Sequence, residues 1–293
     1  MKSEKMKDKQ EKYDNAYKEM IMNIRKNSAH PEYKRKEDET MRKLEVKNYM
    51  VKSGKIDNSF RILLLTDLHS YLGYGENNEE LVRICQSLTP DIITISGDLI
   101  TRADKAAIQM AKMSEAFPKI CRTYFAYGNH ETVARVDNMI YYEVFEHYMV
   151  HSGIVTLNNA SDFITVNGNN VCITGVELSL CKYSKDDRFL KVDDLPKVNT
   201  DAYHILLSHN PEFAETYFDY GADLTLSGHV HGGIFRIGNH GLLSPYASFF
   251  PKYCYGQYTR EEKHMIVSGG LEDHRIHRIW NPYEIVCIDV LRK

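Results

Sequence analysis

The sequence predicts an α/β fold on three observations. Short apolar runs recur from residue 44 to residue 290, stretches of helical length lie between several of them, and no internal repeat or low-complexity linker interrupts residues 43–293. Strands that alternate with helices in this way pack into a layered α/β domain. Residues 44–51 alternate as a strand does, and 61–65 form a continuous run, Arg61 followed by Ile-Leu-Leu-Leu65. The theme repeats at 91–95, 123–127, 171–174, 204–207, 224–226, 265–267 and 285–290. Continuous apolar runs of this length read as strands buried on both faces. Helices are expected at 78–87, 103–117, 136–147 and 212–220, with Met110, Met113 and Phe117 as core candidates.

The chain has 293 residues, 43% of them hydrophobic and 26% charged, the composition of an ordinary globular protein rather than a collagen or a disordered tail. No stretch approaches the ~18 apolar residues that span a bilayer, and residues 1–18 are charged throughout with no apolar export core. A cytoplasmic location is the expectation. Six scattered cysteines without a CxxC pair predict reduced thiols rather than a disulfide framework or a zinc ribbon.

The net charge of −3 hides an asymmetry. Residues 1–55 carry 16 Lys and Arg against 10 Asp and Glu, a balance of +6, which leaves −9 for the rest. The division expected is a charged helical arm, 1–42, and a catalytic domain, 43–293. In the arm Tyr13, Tyr17, Met20 and Ile24 recur at helical spacing before His30-Pro31 breaks the pattern. Interleaved Glu and Asp favour a solvated helix with one packed face; peripheral contact with an anionic membrane surface is the alternative. The acidic body gives no basic footprint for nucleic acid.

The chemistry is carried by the residues just past the apolar runs. After 61–65 comes Thr66-Asp67-Leu68-His69, after 91–95 comes Ser96-Gly97-Asp98, and after 123–127 comes Gly128-Asn129-His130-Glu131. Two further runs lead into Ser208-His209-Asn210 and into Ser227-Gly228-His229-Val230-His231-Gly232-Gly233. Each places a metal-ligand type of residue just past a strand's carboxyl end, where α/β sheets bind ligands. Asp67 and His69 are two apart and point the same way if the strand continues; His229 and His231 repeat the spacing. A nitrogen and oxygen donor set without Cys suits Mn, Fe, Zn or Co. Two such ions ~3.5–4 Å apart clamp the attacking and leaving oxygens of an in-line displacement at phosphorus.

The ordered set D-x-H, G-D, G-N-H-E, H and G-H-x-H, spanning Asp67 to His231, resembles the calcineurin-like metallophosphoesterase superfamily. The resemblance implies a four-layer α/β/β/α sandwich of two mixed sheets. It implies a first ion on Asp67, His69, Asp98 and His231, and a second on Asp98, Asn129, His209 and His229, with Asp98 as the bridge. It further implies that a metal-bridging hydroxide attacks a phosphomonoester or phosphodiester, that His130 acts as general acid, and that Glu131 fixes the His130 imidazole. The remaining histidines match no block.

The tail Asn281-Pro282-Tyr283-Glu284 and the run from Phe250 to Tyr253 resemble a bacterial single-domain subgroup related to membrane-associated phosphodiesterases. That implies a small phosphorylated substrate, nucleotide- or lipid-linked. The aromatic residues of 246–258 either grip an apolar part of it or pack as core. The alternatives to this enzyme are a protein phosphatase and a non-catalytic metal-binding scaffold.

Overall fold

The structure, a computed structural model, describes residues 44–75, 78–184, 187, 189–238, 240–243, 250–272, 278 and 280–293. The chain divides into two compact units, Met1–Met41 and Arg42–Lys293. The described residues belong to the second unit, so the expected helical arm lies outside them, as do Tyr246, Phe249 and His274.

Along the chain the strands are β1 Leu44–Ser53, β2 Phe60–Leu65, β3 Ile92–Ser96, β4 Arg122–Ala126, β5 Val155–Leu157, β6 Ala160–Val166 and β7 Asn169–Val176. They continue as β8 Tyr203–Ser208, β9 Leu224–Ser227, β10 Phe235–Ile237, β11 His240–Leu243, β12 Gly256–Arg260, β13 Lys263–Val267 and β14 Tyr283–Arg292. The helices are α1 Glu79–Ser87, α2 Lys105–Ser114, α3 Asn129–Asp137, α4 Met139–His151 and α5 Ala214–Tyr220. One six-stranded sheet has the order β1-β14-β2-β3-β4-β5 and the other β12-β13-β9-β8-β7-β6. Both are mixed. β14 runs antiparallel to β2 in the first, while β6 and β12 run antiparallel to their neighbours in the second.

The layers follow from the period of two along each strand. In β2, Ile62 and Leu64 face a core shared with Ile205, Leu207 and Leu226 of the other sheet, whereas Leu63 and Leu65 face a core shared with Leu81 of α1 and Met110 of α2. In β14, Ile288 takes the first side and Cys287 the second. The second sheet divides likewise, with Ile266 of β13 turned inward and Met265 turned to Tyr217 and Phe218 of α5. A sheet covered on both faces needs continuous apolar runs, and these runs supply two opposed faces from consecutive residues.

The expected helix at 136–147 is instead two helices. Asn138 lies between them with φ −149° and ψ 81°, and its side chain accepts from the Tyr141 N–H at the start of α4. Such a side chain competes with the helical backbone and favours a cap. α3 accordingly begins at Asn129, earlier than periodicity indicated. Of the aromatic stretch, Tyr255 is buried and packs with Tyr253 and Tyr258 in the α5 core, while Phe250 is exposed. The described part is therefore largely core. The six cysteines are unpaired thiols, and no helix among the described residues is long and apolar enough to cross a membrane.

One buried group outside the strand ends gives the fold a pH dependence. His204 of β8 is buried with Nε2 2.8 Å from Thr174 Oγ1, and burial lowers its pKa to about 4. Below the usual His value near 6.5 the unfolded chain takes up a proton that the folded chain refuses until about 4, so stability falls as pH falls through that window. Between pH 7 and 5 this residue is expected to cost on the order of 2 kcal/mol. Urea midpoints at the two pH values test this, with His204→Gln expected to flatten the difference.

Candidate metal centre

The carboxyl ends of five strands, β2, β3, β4, β8 and β9, lead directly into Asp67, Asp98, Asn129, His209 and His229. Backbone hydrogen bonds join neighbouring loops within each sheet: Asp67 N–H to Gly97 O at 3.2 Å and His69 N–H to Asp98 O at 3.0 Å in the first, Gly228 N–H to His209 O at 3.0 Å in the second. Ser96 Oγ crosses between the sheets to Leu226 O at 2.8 Å. Residues remote in sequence are thus fixed around one point.

The Asp67/His69 and His229/His231 pairs do not lie on a continued strand face. The strand geometry does not continue through them: φ is 54° at Asp67, 49° at His69, 69° at His229 and 50° at His231, and Asp98 has 53°. Five side chains on left-handed backbone at one site mark strain that the surrounding structure holds in place. Convergence comes from these turns and not from a shared strand face.

The donors meet in three overlapping groups: Asp67 with His69 and His231, His69 with Asp98 and His130, and Asp98 with His209 and His229. Asp67 Oδ1 lies 3.7 Å from His69 Nε2 and 3.5 Å from His231 Nε2, and the two histidine nitrogens are 3.4 Å apart. Asp98 Oδ2 lies 3.0 Å from His209 Nε2, and His229 completes the third group. His209 Nε2 is also 3.7 Å from Asp67 Oδ1, which links the groups. Asn129, at the start of α3, stands next in sequence to His130, whose Nε2 is 4.0 Å from Asp98 Oδ2. Six of the seven expected ligands, Asp67, His69, Asp98, His209, His229 and His231, have donor atoms in these groups, and Asn129 begins the helix that follows β4.

For Asp67, Asp98, His209, His231 and His130 the inward atom is selected by what binds its twin. Asp67 Oδ2 accepts from the His229 N–H at 3.1 Å and Asp98 Oδ1 from the His130 N–H at 3.0 Å, which turns Oδ1 and Oδ2 respectively inward. The Nδ1 atoms of His209, His231 and His130 stand 2.6, 3.0 and 2.7 Å from the carbonyls of Ser96, Glu272 and Thr101. An imidazole that donates from Nδ1 presents Nε2 as a lone pair, the arrangement found around metal-ligating histidine.

These residues fit divalent cations on two grounds. Among the described residues Asp67 Oδ1 and Asn129 Oδ1 are buried without a hydrogen-bond partner, and such atoms are costly unless a ligand meets them. The charges agree. Burial pushes the Asp67 carboxyl up to about 6, and His209, although burial works to lower it, is raised to about 9 by Asp98 and Asp67. For Asp98 burial acts upward, but His209 and His130 hold it well below the usual carboxylate range. The protein alone therefore holds a proton where cations would supply the positive charge.

Glu131 departs from expectation. Its fully buried carboxylate accepts from the N–H groups of Asp98 (2.9 Å), Ile100 (3.0 Å) and Gly128 (2.8 Å), and not from His130. Burial, with the Asp98 charge behind it, pushes this carboxyl up to about 7. Glu131 shapes the Asp98 loop, and the Thr101 carbonyl holds the imidazole instead. A Glu three residues past the N-cap, accepting the Gly128 N–H, is the one half of a capping box that a glycine cap allows, and its spacing could have identified this. No side-chain pattern could have found the carbonyls of Thr101 and Glu272.

Gly228 is required by a close approach. A Cβ there would lie 2.2 Å from Thr66 Oγ1 and 2.4 Å from Asp67 Oδ2. Gly228→Ala is expected to displace Asp67, destabilise the fold by about 1–3 kcal/mol and weaken metal uptake. Denaturant unfolding and metal titration check both effects.

Residues 60–233 match the sequence profile described as calcineurin-like phosphoesterase. Over 193 residues the chain is 31% identical to an uncharacterized metallophosphoesterase of Campylobacter jejuni, covering 64% of this chain and 48% of that one. Over 252 residues it is 29% identical to the metallophosphoesterase YkuE of Bacillus subtilis, covering 78% of each. The matched part spans 48%, 64% and 39% of the first three curated relatives. A protein of solved structure from Thermus thermophilus aligns at a TM-score of 0.44 and 14% identity, covering 73% of this chain and 90% of that one. Residues able to hold a metal ion gather at the strand ends, and with 60–233 matched the chain belongs to the calcineurin-like phosphoesterase family.

Proposed function

We propose that this protein hydrolyses a small phosphomonoester or phosphodiester with two divalent cations, Mn, Fe, Zn or Co, and with His130 as general acid. In this reading Asp67, His69, Asp98 and His231 hold the first cation, Asp98, Asn129, His209 and His229 hold the second, and Asp98 bridges them. The carrying observation is the convergence of Asp67 Oδ1 and Asp98 Oδ2 on inward-facing imidazole nitrogens, with the outer atom of each carboxylate tied to backbone. When bound, two such cations supply charge neutralisation, polarisation of the phosphoryl group and a lowered pKa for the attacking water.

The chain's own part follows from its hydrogen bonds. Fixed outer contacts hold the ligands in place before substrate arrives, so little rearrangement accompanies charge development. His130 differs from the ligands in being open to solvent: its side chain is 18% exposed, against none for Asp67 and His209. With Nδ1 tied to Thr101 O, its Nε2 faces the cluster and can hold the proton that the leaving oxygen takes. A scaffold has no need of a solvent-facing imidazole beside the metal positions.

The test compares p-nitrophenyl phosphate with its bis ester at saturating Mn²⁺, then a panel of nucleotide and lipid phosphoesters. Turnover of at least one ester is expected. A fully metal-loaded protein that cleaves none of them contradicts the proposal.

A further inference from the structure

We propose that Asn281 is a positioning residue: from just before β14 it holds the His231 turn in the shape that aims the imidazole at the first cation position. This rests on the reading of the centre given above. His231, Gly232 and Gly233 have φ of 50°, 67° and 77°, three successive left-handed residues. Such backbone is strained at a residue with a side chain. The glycines relieve it at two positions, but His231 cannot, so something outside the turn must hold it.

Asn281 does this. Its side chain is buried, and Nδ2 donates to His231 O at 2.7 Å and also to Gly233 O, bracketing the turn. The same chain segment meets the other end of His231, whose Nδ1 lies 3.0 Å from Glu272 O and 3.1 Å from Arg278 Nη2. It also backs Asp67. Gly270 packs so closely that an added Cβ would stand 2.7 Å from Asp67 Cβ, and Leu271 N–H donates to Thr66 O at 3.2 Å. Glu284 in turn fixes this stretch, its carboxylate accepting from Gly269 N–H at 2.8 Å and its own N–H donating to Gly270 O at 3.1 Å.

The contacts are one-sided. Asp67 and His231 belong to the first cation group, whereas the ring of His209 is held by Ser96 and the Asp98 loop by Glu131. Asn281 directs its amide to His231 and Gly233, and none of Asn129, His209 and His229 receives a hydrogen bond from it. These supporting residues lie beyond residue 233, where the family match ends. A segment outside the matched region therefore sets the geometry of one metal position.

The experiment titrates metal-stripped chains with Mn²⁺ by calorimetry. Removing an outer contact of a metal ligand lowers affinity by about 10–100-fold. Asn281→Ala is expected to weaken one of two sites by that factor and leave the other unchanged. Ile288→Val, in β14 but remote from the turn, lowers the unfolding midpoint through the core and keeps both affinities, which separates positioning from general loss of stability. An Asn281→Ala chain that keeps both sites at full affinity, or weakens both equally, overturns the inference alone. A wild-type chain that takes up fewer than two ions overturns the reading of the centre and this inference with it.

Discussion

Replacing Asp98 by Asn is expected to lower the occupancy of both cations together and to reduce phosphoester turnover by at least about a thousandfold. Asp98 is buried, with Oδ2 3.0 Å from His209 and 3.9 Å from His69, so it belongs to two of the three groups of donors. Asn keeps the shape and can still accept the His130 N–H at the outer position, so the loop should survive. What it loses is the negative charge that balances cations in a closed site. Lewis-acid stabilisation is worth several kcal/mol, and each 1.36 kcal/mol is tenfold in rate, hence the size of the effect. Metal content per chain, with circular dichroism to confirm folding, is the measurement. Full occupancy at either site in the variant would remove Asp98 from its bridging role.

The second large effect is expected at His130. His130→Ala should lower kcat/KM on p-nitrophenyl phosphate by roughly a hundredfold or more, within the range for loss of a general acid. Metal content should stay at the wild-type level, because the seven proposed ligands are retained. The mechanism also fixes how the loss varies with the ester: an alkoxide leaving group needs the proton far more than p-nitrophenolate does. The deficit should therefore grow from aryl to alkyl phosphates, which a series of leaving groups measures directly. A deficit of the same size across the series would mean that His130 orients the phosphate without donating the proton.

Much of this protein was legible in its sequence because the same residues serve two demands. The run Ile62-Leu63-Leu64-Leu65 had to be apolar on both sides, since alternate residues face different cores, and that requirement leaves a continuous signal. Where a strand sits at an edge the requirement lapses. β6, Ala160–Val166, has exposed and half-buried positions before the buried Val166 and carries Ser161 and Asp162, so it leaves no continuous apolar run in the sequence.

The site divides along the same line. The metal-ligand side chains announce themselves through residue type and position after each strand. Asp67 and His69 converge as their spacing suggests, but through left-handed backbone after β2 has ended at Leu65 rather than through a shared strand face. The family resemblance gives Glu131 to the His130 imidazole, whereas the N-terminal turn of α3 directs its carboxylate to three backbone N–H groups. Asn281 could not have been placed at all: it lies 50 residues from His231 and meets that residue's carbonyl, which every amino acid possesses.

The central claim is that two cations held by these loops make the chain a phosphoesterase. Metal-stripped protein titrated with Mn²⁺, with bound metal and p-nitrophenyl ester hydrolysis followed in the same samples, tests it most directly. The account predicts that hydrolysis rises with uptake and reaches its plateau at two ions per chain. Hydrolysis that persists at full rate without metal, or two bound ions with no hydrolysis of either the mono or the bis ester, would contradict it.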